Sequence, residues 1–160
     1  MSELEARIRR LEDIEAIRQL KARYCLLADR GYDGAGDDDR AFAELFAEDG
    51  VFEASAGPIV GRKAIEARCK KFHPFGFHVV MNPVIVVDGD TASASWSALV
   101  PSTTVDETAL LVAGRYEEEL VRTADGWRYA QVRFRAAFRA PHEDGWAKTR
   151  FLTDERRPGE

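Results

Sequence analysis

The spacing of apolar residues changes near residue 75, and this change constrains the fold more than any other feature of the sequence. Before it, apolar residues recur every three or four positions, which predicts helices at 2–31, 40–47 and 61–72, with one short strand at 51–54. After it they alternate, which predicts strands at 76–87, 91–100, 109–122 and 126–138. Tight turns at Asp88–Asp90 and Ala124–Gly126 favour hairpins between these strands.

Helices followed by a run of hairpin-linked strands predict an α+β fold. We expect a strongly curved antiparallel sheet packed against about three N-terminal helices. Such a sheet closes against its helices as a cone-shaped α+β barrel, and its open end forms a pocket.

The first helix carries a start signal and a stop signal. Ser2 and Glu5 have the spacing of a capping box, and Gly31 is a natural terminator. An apolar stripe joins the two ends: Leu4, Ile8, Leu11, Ile14, Ile17, Leu20, Tyr24 and Leu27. Asp13 is a possible cap for a second segment, so the sequence leaves one helix or two open.

Glycine and aspartate dominate the segment from Gly31 to Asp39. Its spacing matches no standard calcium loop, and no glutamate closes it at the distance such a loop requires. We therefore predict a solvated turn whose last aspartate caps the following helix.

Length and charge limit the classes of function. With 160 residues we expect one domain over 1–140 and a tail over 141–160 that serves as a lid, forms a subunit contact or is frayed. A net charge of −5 without a long basic run argues against nucleic acid as a partner. The charged N-terminus and the lack of a long apolar stretch argue against a signal peptide and a membrane. Cys25 and Cys69 fall in helical patterns and predict buried thiols in a reducing cytoplasm.

One histidine interrupts the apolar segment from Gly76 to Asp88. Strand alternation places His78 on one face with Val80, Asn82, Val84 and Val86. Either it is a core histidine satisfied by one hydrogen bond, or it is a titratable group at the mouth of a pocket. His73 lies five residues earlier and His142 follows the last strand. Neither comes with the further ligands that a metal site needs, so we predict no metal.

Several segments, in this order and spacing, resemble the SnoaL-like family of the cone-shaped nuclear transport factor 2 superfamily. The resemblance covers about residues 10–135. The segments that carry it are Arg23-Tyr24, Asp29, Phe46–Phe52, Gly61-Arg62, His78–Asn82, Val87–Ala92, Gly114–Tyr116 and Asp125–Trp127.

The resemblance implies the fold more firmly than the activity, because members include dehydratases, isomerases, hydrolases, cyclases, oxygenase subunits and non-catalytic binders. Two departures matter here. Ala54 and Gly114 stand where the ketosteroid isomerases have their two acids. The stretch from Leu110 to Gly114 is apolar, although scytalone dehydratase has a second histidine on this strand.

Dehydratases of the family fit this chain better. They pair an aspartate at the end of the first helix with a histidine on the first long strand, which Asp29 and His78 match. The bile-acid type adds a tyrosine five residues before the aspartate, matched by Tyr24. It also has an arginine on the last strand, for which the candidates are Arg133, Arg135 and Arg139.

These residues suggest acid–base chemistry. Tyr24 and Asp29 lie about 140° apart on a regular helix, so they share a pocket only if the helix ends near Asp29. The aspartate would orient His78, which would remove an α-proton and return it to a departing hydroxyl. Tyr24 would donate a hydrogen bond to the substrate carbonyl. Alternation adds Phe52, Val80, Asn82, Trp96, Tyr116 and Arg133 as pocket lining.

The sequence therefore predicts a cofactor-independent lyase or isomerase of dehydratase type, acting on a small hydrophobic carbonyl compound such as a steroid, terpenoid or polyketide. One alternative is a non-catalytic protein of the same fold that binds a small molecule or an assembly partner. A third possibility is an oxygenase small subunit, which would need a large partner chain. The resemblance also implies a homodimer or homotrimer.

Overall fold

A computed structural model describes residues 2–33, 36, 38–54 and 57–143. Its helices are α1 (Glu3–Ala28), α2 (Asp39–Ala43) and α3 (Arg62–Cys69). Its strands are β1 (Phe46–Ala54), β2 (Gly57–Val60), β3 (Phe75–Gly76), β4 (Val79–Asp88), β5 (Thr91–Thr103), β6 (Ala109–Thr123) and β7 (Gly126–Pro141). The predicted α+β class is confirmed, with a strongly curled half-barrel sheet typical of the cone fold. Of the predicted tail, residues from 144 onward lie outside the described part of the chain.

The sheet has the order β2-β1-β7-β6-β5-β3, and β4 pairs with β5 beside β3. All pairings are antiparallel except that of β1 with β7. The parallel pair joins the first strand to the last described strand of the chain. The register shifts within three of the pairings, and such bulges increase the twist that bends the sheet.

Helix α1 begins as the sequence predicts and forms one continuous element. Ser2 and Glu5 form the reciprocal capping box, with the Ser2 Oγ accepting from the Glu5 amide at 3.2 Å. Asp13 does not start a second helix. Its carboxylate accepts two hydrogen bonds from the Arg122 guanidinium, at 2.7 and 2.6 Å, and one from the Trp127 indole at 3.1 Å. This buried contact fixes the helix against β6 and β7.

The core lies between α1, α2 and the concave face of the sheet. Ile17, Tyr24 and Phe42 are almost fully buried against Phe46 and Tyr129. Burying each side chain of this size contributes about 1.5–3 kcal/mol. The first three members of the predicted stripe, Leu4, Ile8 and Leu11, are exposed instead, and the first buried residue of α1 is Asp13.

The cap of α2 differs by one residue from the prediction. The Asp38 side chain accepts from the Ala41 amide at 2.8 Å and is the N-cap. Asp39 is the first helical residue and accepts from the Arg30 guanidinium at 2.7 Å. The same guanidinium also donates to the carbonyl groups of Leu27, Asp29 and Gly36, so it organises the chain after α1.

Strand β4 contains a bulge that reverses which residues face inward. The pairing with β5 shifts between Met81 and Val84, and Asn82 has a φ of 53°. Before the bulge Val80 packs against the core, and after it Ile85 and Val87 do so. The predicted face of alternating residues is therefore wrong beyond Val80, since Asn82, Val84 and Val86 are exposed.

No helix in the described ranges is long and apolar enough to cross a membrane. Both cysteines are buried free thiols, as the sequence predicts.

Candidate functional site

A cavity of about 230 Å³ lies between α1, α3 and the concave face of the sheet. Its lining comprises Tyr24, Ala28, Phe52, Ala54, Arg68, Lys71, Phe72, His73, Gly76, His78, Val100, Ser102, Val112, Tyr116, Phe134 and Arg139. Of the predicted site residues, Tyr24, His78, Phe52 and Tyr116 line it. Tyr24 and Tyr116 are buried, whereas Lys71 and Arg139 are exposed, so the lining runs from an aromatic interior to a cationic mouth.

The end of α1 places Asp29 beside this cavity. The helix stops at Ala28, and Asp29 has extended backbone angles of −65° and 153°. Arg30 then exchanges two backbone hydrogen bonds with Gly76, at 3.1 and 3.2 Å. At Gly31, with φ of 81°, a Cβ atom would lie 2.5 Å from the Pro74 carbonyl oxygen. Only glycine allows this approach, so Gly31 joins the helix end to the segment before β4.

Asp29 and His78 form a hydrogen-bonded pair. One carboxylate oxygen of Asp29 accepts from the His78 backbone amide at 2.7 Å and from the His78 Nδ1 at 2.8 Å. The other accepts from the Tyr32 hydroxyl at 2.5 Å. A carboxylate can only accept, so the proton of neutral His78 lies on Nδ1 and leaves Nε2 as an acceptor. Asp29 is 3% exposed, and therefore its orienting contacts are protected from water.

Tyr24 lies next to the pair. Its ring meets the His78 ring edge-on, with 6.4 Å between centroids, and it also contacts the rings of Tyr116 and Tyr129. Burial raises the pKa of Tyr24 well above its usual value, and the neighbouring Tyr116 raises it further through its charge and a hydrogen bond. Burial also raises the pKa of Tyr116. Both phenols therefore remain protonated, as hydrogen-bond donors must.

A buried ion pair supports the two tyrosines and was not predicted. Lys21 Nζ donates to Glu118 Oε1 at 2.7 Å, and Glu118 Oε2 accepts from the Trp96 indole at 2.8 Å. The Lys21 ammonium also lies 3.4 Å from the centroid of the Tyr116 ring and 4.2 Å from that of Tyr24. Its helical spacing with Ile17 and Cys25, both buried, is the sequence signal that could have identified Lys21.

The mouth of the cavity is cationic. Arg68, Lys71 and Arg139 line it, and the Arg68 guanidinium lies 5.7 Å from the centroid of the Phe72 ring. His73 lies among them, and burial lowers its pKa, followed by the charges of Arg139 and Arg68. Of this group, only Arg139 was a candidate from the sequence.

Five predicted lining residues lie elsewhere. Trp96 donates its indole hydrogen bond to Glu118 in the core, Val80 packs against the core cluster, and Asn82 is exposed at the bulge of β4. Arg133 and Arg135 lie on the outer face of the sheet, where they pair with Glu53 and Glu117 at 2.7 and 2.8 Å.

A bulge in β7 explains why alternation misplaced the arginines. Arg133, Arg135 and Arg139 are separated by even steps and would share one face of a regular strand. The register with β6 shifts between Ala113 and Gly114, where one extra residue of β7 is inserted. Arg139 then lies opposite Val112, which also lines the cavity.

A family model described as a SnoaL-like domain matches residues 9–133. The chain belongs to the SnoaL-like family. The family is part of the superfamily of nuclear transport factor 2 folds, as the sequence motifs indicate. No curated protein matches the chain significantly.

Solved structures of this SnoaL-like protein's relatives share its fold. An NTF2-like protein with a cystatin-like fold from Novosphingobium aromaticivorans is 32% identical, with a TM-score of 0.68, over 84% of this chain and 88% of its own. A variant of Rv3472 from Mycobacterium tuberculosis, a protein of unknown function, is 29% identical, with a TM-score of 0.67, over 79% and 77%. The hexachlorocyclohexane dehydrochlorinase LinA-type3 of Novosphingobium barchaimii is 17% identical, with a TM-score of 0.74, over 84% and 93%.

The described part of this SnoaL-like protein contains no cluster of side chains suited to binding a metal ion. There, no group of three or more histidine, cysteine, aspartate or glutamate side chains is close enough to hold an ion.

Proposed function

We propose that this SnoaL-like protein is a cofactor-independent lyase or isomerase that removes an α-proton from a small hydrophobic carbonyl compound. The observation that carries the proposal is the hydrogen bond of 2.8 Å between a buried carboxylate and the Nδ1 of a histidine that lines a cavity. This arrangement orients an imidazole and stabilises its protonated form.

The proposed reaction uses three side chains. His78 Nε2 takes the α-proton, and the electron pair of the C–H bond forms an enolate, whose oxygen accepts a hydrogen bond from Tyr24. The enolate then expels a β-hydroxyl group, to which protonated His78 returns the proton, so the products are an unsaturated carbonyl compound and water. If the substrate instead has a β,γ double bond and no leaving group, the enolate is a dienolate. Protonated His78 then returns the proton to its γ-carbon, which moves the double bond into conjugation with the carbonyl group.

Two further observations support this class of reaction. The aromatic and apolar walls from Phe52, Val100 and Phe134 suit a hydrophobic substrate. The dehydrochlorinase of the same fold is named for an elimination, which likewise breaks a C–H bond and expels a neighbouring group.

The test is a panel of β-hydroxy ketones and unconjugated enones, followed by the ultraviolet absorbance of the conjugated product and by deuterium exchange in heavy water. We expect His78→Gln and Asp29→Asn each to lower kcat by about 100-fold or more, because general acid–base catalysis contributes about 10²–10⁴-fold. His142→Gln is the matched control, since His142 is exposed and does not line the cavity. Equal turnover and exchange in wild type and both dyad variants would contradict the proposal.

The alternative is a small-molecule carrier of the same fold. One observation favours it: the cavity wall on β6 is apolar at Val112, so this part of the strand supplies no second histidine. A carrier would bind members of the panel without exchange or turnover, and His78→Gln would leave its affinity unchanged.

We also propose a homo-oligomer. Proteins of this superfamily commonly form oligomers and bind small hydrophobic ligands. Edge strand β4 exposes Val79, Met81, Val84 and Val86 on its outer face, and a second copy of the chain would cover them.

A further inference from the structure

We propose that the substrate carries a carboxylate, which the cationic mouth of the cavity binds through Arg68, Lys71 and Arg139. This inference rests on the proposed function, since it describes the substrate of the same cavity. The acid would occupy the mouth while the carbonyl group lies inside, near Tyr24 and His78.

The charge of the cavity lining favours an anionic ligand. Three permanent cations line the cavity, and no aspartate or glutamate is among the described lining residues. The chain as a whole has an excess of acidic residues, with a net charge of −5. An unopposed cationic cluster in an acidic protein is therefore a local feature, and an anionic ligand would offset it.

The three cations of the lining also lack acidic partners in the described part of the chain. In the described part of the chain, Arg68, Lys71 and Arg139 form no ion pair with a carboxylate. One nitrogen of Arg68, Nη1, is moreover buried without a hydrogen-bond partner. Because an unsatisfied buried donor is costly, this guanidinium favours an acceptor from a ligand.

The helix dipole of α3 accounts for only two of the three cations. Arg68 and Lys71 lie at the end of α3, where positive charge stabilises the helix dipole and needs no ligand. Arg139 comes from β7, however, and reaches the cavity only because of the bulge in that strand. Two separate elements thus converge on one mouth, and the charges of Arg139 and Arg68 add to the effect of burial in lowering the pKa of His73 between them.

A carboxylate fits this mouth for chemical reasons. Guanidinium groups bind carboxylates through paired, charge-assisted hydrogen bonds, and Lys71 adds a flexible donor. The cavity of about 230 Å³ is smaller than the range of about 300–1,000 Å³ typical of drug-sized ligands, so the acid would be attached to a small ring system.

The experiment measures binding of acid and amide pairs with the same skeleton, by calorimetry at neutral pH. Naphthoate with naphthamide and indole acetate with indole acetamide are suitable probes. For wild-type protein we expect each acid to bind roughly tenfold more tightly than its amide, which is the effect of one charge-assisted contact. We expect the preference to disappear in Arg68→Gln/Lys71→Gln and to fall in Arg139→Gln.

Lys63→Gln is the matched control, because Lys63 lies exposed on the same helix and does not line the cavity. It removes a positive charge and should keep the preference. A salt titration of wild-type protein provides a test that needs no variant, since screening should weaken acid binding and leave amide binding unchanged.

Equal affinity for acid and amide, no binding of either acid, or a preserved preference in the double variant would overturn the carboxylate proposal. None of these results depends on turnover. Failure of the dyad variants to reduce proton exchange would instead contradict the proposed function and leave the acid preference intact.

Discussion

Asp29 accepts three hydrogen bonds, and they divide its two oxygens between separate tasks. One oxygen holds the His78 backbone and ring, and the other is held by Tyr32. Burial raises the pKa of Tyr32 to about 12, with a further contribution from its bond to Asp29, so this donor stays protonated. Tyr32 was not predicted, because it lies in a glycine-rich segment whose pattern indicates only a turn.

The first prediction concerns the tautomer of His78. We expect neutral His78 to carry its proton on Nδ1 in wild type, since Asp29 can only accept. Asp29→Asn should move part of the population to the Nε2 tautomer, because an amide can also donate to Nδ1. Nitrogen-15 spectra of labelled histidine measure both populations. Tyr32→Phe is the control and should keep the wild-type tautomer, whereas an Nε2 proton in wild-type protein would refute the geometry.

The second prediction concerns the ion pair beneath the tyrosines. Lys21 and Glu118 are 1% and 0% exposed, so removing one partner leaves a buried charge. Lys21→Met should therefore lower the free energy of unfolding by about 3–5 kcal/mol. Adding Glu118→Gln should recover part of the loss, because no charge is then left unpaired. Urea unfolding of the two variants measures both effects, and an equal or larger loss in the double variant would contradict this account.

At the scale of the element, the contact between Asp13 and Arg122 holds helix α1 against strand β6. This bond holds the pKa of Asp13 below its usual value, against the opposing effect of burial. A lowered folded-state pKa contributes stability above the unfolded pKa, and the contribution is lost as the pH falls through the folded pKa.

The third prediction concerns how the lowered pKa of Asp13 makes the stability depend on pH. Asp13→Asn should reduce the free energy of unfolding at neutral pH by about 1.5–3 kcal/mol, the size of a hydrogen bond to a charged group. Below the folded pKa of Asp13 the difference between the variant and wild type should shrink, since Asp13 is then protonated in both states. Urea midpoints at neutral and strongly acidic pH measure it, and a constant difference would exclude this linkage.

The sequence predicts the elements well and their irregularities poorly. Periodicity identifies α1 and the four long strands, because regular segments with one buried face repeat their pattern over many residues. It fails at the bulges of β4 and β7, where one inserted residue exchanges the two faces. For this reason Val84 is exposed on the outer face, and Arg133 lies on the opposite face of its strand from Arg139. The pairing of Asp29 with His78 came from resemblance to a family, since no local pattern relates residues so far apart in sequence.

At the scale of the whole molecule, the exposed valines of β4 are the strongest signal for self-association. Val84 and Val86 are 62% and 52% exposed on an edge strand of the sheet. Large exposed apolar surfaces of this kind are typical of interfaces between proteins.

The fourth prediction tests this face. Val84→Lys/Val86→Lys should convert the oligomer to a monomer, because a buried interface would then have to desolvate two unpaired ammonium groups. Light scattering coupled to size exclusion measures the mass. Val105→Lys is the control, since Val105 is 87% exposed in the turn between β5 and β6. A monomeric wild type, or an oligomer that persists in the double variant, would contradict the proposed interface.

The two backbone hydrogen bonds between Arg30 and Gly76 have a consequence for how the protein would unfold on heating. Together with the two hydrogen bonds that Asp29 accepts from His78, they hold the end of α1 to the segment carrying His78, whereas the large sheet is held by many more. Contacts this few open locally at a lower free energy than global unfolding requires. Mild heating should then separate Asp29 from His78 while the sheet stays folded, so the proposed activity would be lost before global unfolding.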